Sequence, residues 1–272
     1  MSTSVSKYTL ITDEPEGQRL NRQHAALKKL FDDQLLPDGL ELKGGDWVLD
    51  SGTGTGVWAI DLASALPPTV QIDCIDLTTR LFPRGNEVPA NLHFSTGNAL
   101  ALPEEAQSKY TLIHQRFLSG AFGNSDWHTC LGQLWTALRP GGWLKLEELY
   151  GRITPSLPRS TELMRISLEL ETKRGIDFAA VEKLPEWIGQ AGFEDVRVDS
   201  RKWILGPGEE RAGERAIFLG AWRAIRAGVT AAGYDMGMPD QAWETFVQEL
   251  EAELDANEAG LVIYSFEARK PL

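Results

Sequence analysis

Nine residues, Val48-Leu49-Asp50-Ser51-Gly52-Thr53-Gly54-Thr55-Gly56, constrain the fold of this 272-residue chain more than any other segment. Trp47 to Asp50 reads as a short buried strand, and Val57, Ile60, Ala63 and Leu66 continue as a helix that Pro67-Pro68 ends. Glycines between a strand and a helix let the backbone turn tightly and approach a ligand, and in open α/β sheets nucleotides bind at such a turn. The spacing G-x-G-x-G departs from the common fingerprints. Val57 stands where a dinucleotide turn needs its third glycine, which disfavours NAD and FAD, and no Lys-Ser/Thr pair follows, which excludes a P-loop. Asp50 precedes the first glycine by two positions. Asp76 follows Gly56 by 20 residues, at the end of a second strand, Val70 to Ile75. From there a carboxylate can bond both hydroxyls of an adenosine ribose. The expected ligand is an adenosine without a pyrophosphate.

The rest of the chain continues this βα rhythm. Residues 18 to 36 read as a helix ended by Pro37, with Leu20, Leu27, Leu30 and Phe31 at helical spacing. His93-Phe94 and residues 110 to 114 read as a third and a fourth strand. Leu131, Leu134, Trp135 and Leu138 form a helical stripe closed by a Pro140-Gly141-Gly142 turn, and Trp143 to Leu146 resumes as a strand. Beyond residue 150 the rhythm loosens into helices at 161 to 174, 184 to 191, 209 to 232 and 240 to 256. Strands are expected at Phe193 to Val198 and Leu261 to Glu267, forming an antiparallel hairpin on the sheet edge. The fold expected is α/β, a Rossmann-like seven-stranded and mostly parallel sheet with helices on both faces and extra helices as a cap. One compact unit is expected in three parts: an N-terminal helical lid (1–40), a nucleotide-binding core (41–150), and acceptor-site helices with the terminal hairpin (151–272).

Composition removes several function classes. Net charge is −12 and basic residues form no cluster, so a nucleic-acid partner is not expected. No apolar run reaches the ~18 to 20 residues of a membrane span. Cys74 and Cys130 are the only cysteines, which excludes a disulfide framework and a Cys-rich zinc site, so no metal is expected. The opening MSTSVSKYTLITDEPEG has no signal-peptide apolar run and turns acidic quickly, and the expectation is a soluble, cytoplasmic protein.

Together these segments resemble the class I S-adenosylmethionine-dependent methyltransferases. YTLITDEPEGQRLNRQH at 8–24 is similar to the opening of the LaeA-like (UMTA-type) fungal methyltransferases, and VLDSGTGTGVWAIDLA at 48–63 to their first motif. YTLIHQRFLSGAFGNSDW at 110–127, LRPGGWLKLEE at 138–148 and the final FEARKP resemble later segments. The likeness is thin at about 150–190 and 209–240.

This resemblance implies S-adenosyl-L-methionine as cofactor and a small, hydrophobic fungal secondary metabolite as methyl acceptor, with O-methylation favoured. It places Asp50, Gly52, Thr53, Gly54 and Gly56 around the cofactor loop, Asp76 and Leu77 at the ribose, and Asn98 and Ala99 at the adenine. Asn98 stands where many relatives have Asp, and its side-chain oxygen can still accept a hydrogen bond. Gln115 and Arg116 are implied at the methionine half, and Arg19 and Gln23 on a lid helix. Methyl transfer is an in-line displacement in which alignment and desolvation can supply roughly 7–11 kcal/mol, so an obvious base is not required. If a proton must be taken, His114, His24 or Glu148 are the candidates. Trp203, Trp222, Trp243 and Tyr264 are candidates for acceptor-pocket walls or for core. Two further readings stay open: a pericyclase-like enzyme that uses the bound sulfonium only electrostatically, and a LaeA-like regulator. A homodimer or a protein partner is compatible with any of them.

Overall fold

A computed structural model describes residues 13–84 and 88–272. Tyr8 to Thr12, which open the LaeA-like segment, lie outside the described residues. Strands β1 (Trp47–Ser51), β2 (Gln71–Asp76), β3 (Leu92–Thr96), β4 (Tyr110–Arg116), β5 (Leu138–Thr154), β6 (Glu194–Ile204) and β7 (Gly260–Arg269) form one seven-stranded sheet in the order β3-β2-β1-β4-β5-β7-β6. β1 to β5 are mutually parallel, and β7 runs antiparallel between β5 and β6. The order reverses between β1 and β4, so the carboxyl ends of these two strands open the crevice at which such sheets take ligands.

Alternation of side chains distributes the core. Val48 and Leu112 point to one face, where Trp58 and Leu62 of α2 (Val57–Ser64) cover them. Leu49 and Ile113 point to the other, where Leu131 and Leu134 of α3 (Asn124–Ala137) and Ile188 of α5 (Leu184–Gln190) pack. A third cluster is mostly helical. It joins α1 (Glu14–Leu30), α4 (Pro158–Arg174), α6 (Ala212–Ala231) and α7 (Asp240–Ala256) to the far ends of β5 and β7, through residues such as Leu27, Leu163, Phe218, Phe246 and Leu261. Among the described residues no helix is long and apolar enough to cross a membrane.

Several boundaries differ from the sequence expectation. α1 starts at Glu14, where the Asp13 carboxylate accepts the Glu16 N–H at 3.0 Å, and it ends at Leu30 rather than at Pro37. Asp32 and Asp33 then take left-handed φ angles of 54° and 63°, which stop a helix without proline. The Pro140-Gly141-Gly142 segment does not interrupt β5; it lies inside the strand at a register shift between Tyr110 and Leu112. β5 continues to Thr154, so Glu147 and Glu148 lie within it. β6 reaches Ile204 and includes the exposed polar run Asp199 to Lys202, because an edge strand needs no apolar face there.

Candidate functional site

The glycine turn is held open by its own backbone. Gly52, Gly54 and Gly56 have φ of +73°, +56° and +72°, conformations that side chains disfavour. The N–H groups of Gly52 and Thr53 both donate to Ile75 O at 2.9 Å, fastening the turn to the end of β2. At Gly56 a Cβ would lie 2.5 Å from the Phe94 ring, so the entry to α2 has no room for a side chain. Asp76 completes the turn: its Oδ2 accepts the Gly54 N–H at 2.9 Å and its Oδ1 the Thr78 N–H at 3.3 Å. Burial pushes the Asp76 carboxyl above its ordinary value, opposed by these backbone donors.

Beside this turn lies a cavity of about 240 Å³. One end is polar, formed by Gly52, Thr53, Gly54, Asp76, Leu77, Asn98 and Ala99, with Arg19 and Gln23 of α1 over it and Arg116 at the end of β4. The other end is mostly apolar, with Leu149 on β5, Leu170 on α4, Phe178, then Phe218, Trp222 and Ile225 on α6, and Leu261 on β7. The structure thus brings ten of the sequence-selected cofactor residues to one cavity wall.

Asp50, Gly56 and Gln115 stand behind that wall. Asp50 accepts from the Thr53 hydroxyl and shapes the loop. Gln115 faces the core, where its Oε1 accepts from Ser51 Oγ at 3.2 Å and Cys130 Sγ at 3.3 Å. Asn98 Oδ1 already accepts the Leu100 N–H at 2.9 Å and keeps one lone pair. Of the four aromatics considered for the acceptor pocket, only Trp222 lines the cavity; Trp203 and Trp243 are buried in the helical cluster and Tyr264 stacks on Phe266. Leu170, Phe178, Phe218 and Ile225 were not singled out by the sequence, although Phe218, Trp222 and Ile225 recur at helical spacing.

His24, His114 and Glu148 do not line the cavity; they belong to a buried polar chain behind it. Arg116 Nη1 donates to His24 Nδ1 at 3.2 Å, which leaves the His24 proton on Nε2, donated to Asp61 Oδ2 at 3.0 Å. Burial and the Arg116 charge hold the His24 imidazole below its ordinary value, against Asp61. His114 Nδ1 donates to Asp50 Oδ1 at 2.7 Å, and its Nε2 lies 3.6 Å from Glu147 Oε2. Burial opposes ionisation of Glu147, yet His114, Arg116 and Lys145 hold it down at about 2. Burial pushes Glu148 up to about 7, although its oxygens accept the N–H groups of Leu118 and Ser119 at 2.8 and 3.1 Å. One carboxylate fastens β5 to β4 and the other pins the loop after β4.

Among the described residues, several buried side-chain nitrogens have no hydrogen-bond partner, and Arg19 carries one of them at the cavity wall. Arg19 bonds Glu16 through Nε (2.7 Å) and Nη2 (2.6 Å), but its Nη1 is buried with no hydrogen-bond partner. A buried guanidinium nitrogen at a cavity wall suits a carboxylate of a bound molecule. With the Asp76 carboxylate and the glycine turn, it fits an adenosyl amino acid.

Comparison with known proteins gives the same direction. Residues 48–142 match the family described as "Methyltransferase domain". Methyltransferase grgD of a Penicillium species is 35% identical over 154 residues, 54% of this chain and 53% of that protein, so that alignment spans about half of each. N-methyltransferase tcpN of Claviceps purpurea is 27% identical over 253 residues, 89% of either chain. Among solved structures, phosphoethanolamine N-methyltransferase 2 of Haemonchus contortus in complex with S-adenosyl-L-methionine is similar over 94% of this chain and 52% of that one. Its TM-score is 0.53 at 19% identity, a likeness of fold.

Proposed function

We propose that the chain, whose residues 48–142 match a methyltransferase domain, is a class I, S-adenosylmethionine-dependent enzyme that methylates a small, largely apolar metabolite, of the kind made in fungal secondary metabolism, held at the far end of the cavity. The observation that carries this reading is the continuity of that cavity, which joins the glycine turn and Asp76 to the apolar walls of α4, α6, β5 and β7. In this reading α1 is the lid, the parallel sheet is the cofactor platform, and the segment after residue 150 builds the acceptor site.

When bound, S-adenosylmethionine supplies an electrophilic methyl on a sulfonium that leaves as a neutral thioether. The protein has to hold, align and dry the two molecules. Asp76 accepts from the ribose hydroxyls, Asn98 and Ala99 meet the adenine edge, and Arg19 Nη1 with Arg116 holds the amino-acid carboxylate, with Gln23 beside them. Phe178, Phe218 and Trp222 exclude water from the acceptor. Such alignment can lower a barrier by roughly 7–11 kcal/mol, more than the ~10²- to 10⁴-fold of a general base. His24, His114 and Glu148 act in this scheme through what they position, since none reaches the cavity. O-methylation fits best, because an oxygen acceptor can arrive already deprotonated.

Calorimetric titration with S-adenosylhomocysteine tests the reading. The expected result is micromolar binding that Asp76→Ala weakens at least about tenfold, with no signal from NAD. Failure of ligand-free, folded protein to bind S-adenosylhomocysteine overturns it. Transfer of a labelled methyl to an acceptor then separates methylation from a purely electrostatic use of the cofactor.

A further inference from the structure

Among the described residues, the non-glycine positions with a left-handed φ are Asp32, Asp33, Ser108, Phe117 and Asp195. Aspartate and serine tolerate such a turn because their short polar side chains bond locally. Phe117, at φ +56°, is the exception, since a bulky ring gains nothing from that backbone. Its conformation is imposed from both sides. The Phe117 N–H donates to Glu147 O at 2.9 Å, and the next two N–H groups, of Leu118 and Ser119, donate to the Glu148 carboxylate at 2.8 and 3.1 Å. Glycine would make the same turn with less strain. A phenylalanine held there by its neighbours, at a cavity wall, points to a role for the ring itself.

Phe117 belongs to the junction between the two ends of the cavity. It follows Arg116, the residue at the cofactor end of the wall, and its half-buried side chain packs against the helical cluster that walls the acceptor end. Leu118, on its other side, has its Cδ2 3.2 Å from where a Gly52 Cβ would be, so the same turn closes on the glycine loop. Charge makes the neighbours of this junction matter. The charged residues lining the cofactor end are Arg19, Arg116 and Asp76, and Asp76 is the partner of the ribose in the reading above. Glu147, 3.9 Å from Arg116 Nη1, is buried and does not line the cavity. A cation entering here meets two guanidiniums and no second carboxylate. Besides backbone carbonyls, an aromatic face is the kind of group that can still attract it.

Resting on the methyltransferase reading, we propose that Phe117 is a binding residue for the sulfonium, and that its ring lets the site tell S-adenosylmethionine from the neutral S-adenosylhomocysteine. In an adenosyl amino acid the sulfur joins the ribose to the amino-acid carbons. With the ribose at Asp76 and the carboxylate at Arg19 and Arg116, the sulfur comes to the wall between them, and its methyl turns toward the acceptor end. Phe117 is the aromatic residue adjoining Arg116 on that wall. Its ring attracts the positive sulfur and offers nothing comparable to a thioether, so the spent cofactor is held less tightly than the fresh one. The left-handed backbone is what brings the ring to this junction.

Calorimetric titration of the wild type, Phe117→Leu and Phe117→Tyr with S-adenosylmethionine and with S-adenosylhomocysteine, in the absence of any acceptor, tests this. Phe117→Leu is expected to weaken S-adenosylmethionine at least about fivefold while S-adenosylhomocysteine stays within about twofold. Phe117→Tyr keeps the ring and should keep the wild-type ratio of the two affinities. A ring that only shapes the fold would move both ligands together. Should Phe117→Leu fail to fold, Phe117→Asn takes its place, since asparagine accepts a left-handed backbone more readily. The proposal is overturned if both ligands weaken in step, if the ratio is unaltered in Phe117→Leu, or if Phe117→Tyr shifts it as far. In those outcomes the cofactor reading stands, because the wild type still binds. A wild type that binds neither ligand overturns the cofactor reading and this proposal with it.

Discussion

The imidazole of His114 lies flat against the indole of Trp58, ring centroids 3.7 Å apart and planes 7° from parallel, and it spends its Nδ1 proton on Asp50. A side chain clamped on one face by α2 and at one nitrogen by β1 is built to hold the glycine loop in place. His114→Asn is therefore expected to lower unfolding free energy by about 1–3 kcal/mol and to leave single-turnover methyl transfer within tenfold. Denaturant unfolding and rapid-quench kinetics read the two effects. A rate loss of ~10²-fold or more in a variant of unaltered stability would make His114 the proton acceptor instead.

Glu148 makes stability depend on pH in an unusual direction. Its carboxyl is raised from 4.5 to about 7 in the folded chain, so between these values the folded state holds a proton that the unfolded state has lost. The contribution of Glu148 is full below pH 4.5 and is lost as pH rises through about 7. Glu147, held at about 2, contributes constantly over that range. Urea midpoints at pH 5 and pH 8 should show the wild type's advantage over Glu148→Gln shrinking as pH rises. An advantage independent of pH contradicts the assignment.

Two glycines should respond with opposite signs to the same substitution. Gly56→Ala forces a side chain into a left-handed residue and toward the Phe94 ring, and should cost about 1–3 kcal/mol together with most S-adenosylhomocysteine affinity. At Gly132, in the exposed middle of α3, an added Cβ meets nothing within 4 Å. Gly132→Ala should stabilise by about 0.5–1 kcal/mol and leave binding unaltered. Thermal melting of the pair checks both signs.

Arg19 and Glu16 form a doubly hydrogen-bonded pair, both buried. Arg19→Met strands the carboxylate, and local protection of α1 should fall by about 3–5 kcal/mol in hydrogen exchange. Adding Glu16→Gln should restore most of that protection. Affinity for S-adenosylhomocysteine should stay low in both variants, because the Nη1 donor is gone from each. Recovery of affinity in the double variant would mean that Arg19 serves only the helix.

The parts of the site that the sequence revealed are those carried by contiguous residues. β1, the glycine turn and α2 follow one another without interruption, and Asp76 lies one strand away, so local rules sufficed. The helix expected at 18–36 starts four residues after α1 does and runs six past its end, because Leu35 and Leu36 continue an apolar pattern; those side chains pack against the β1–β2 cluster, after Asp32 and Asp33 have turned the chain. The acceptor wall was illegible for another reason. Leu149, Leu170, Phe178, Trp222 and Leu261 come together only through the packing of α4 and α6 on the sheet, and no spacing in the chain distinguishes them from core. Trp203 and Trp243, equally conspicuous in the sequence, turn out to be that core.

The first helix and the sixth are partners: Arg19 lies against Gly220, and Leu27 and Phe31 share a cluster with Phe218 and Trp222. This has a consequence for synthesis. A chain emerging from the ribosome at about 5–20 residues per second can assemble β1 to β5 with the glycine turn well before α6 exists. During that interval the nucleotide platform lacks its α6 wall, and the first helix is left with polar contacts to dock by, such as those of His24 with Asp61 on α2 and Arg116 on β4. Closure of the cavity is thus among the last events in the making of the molecule.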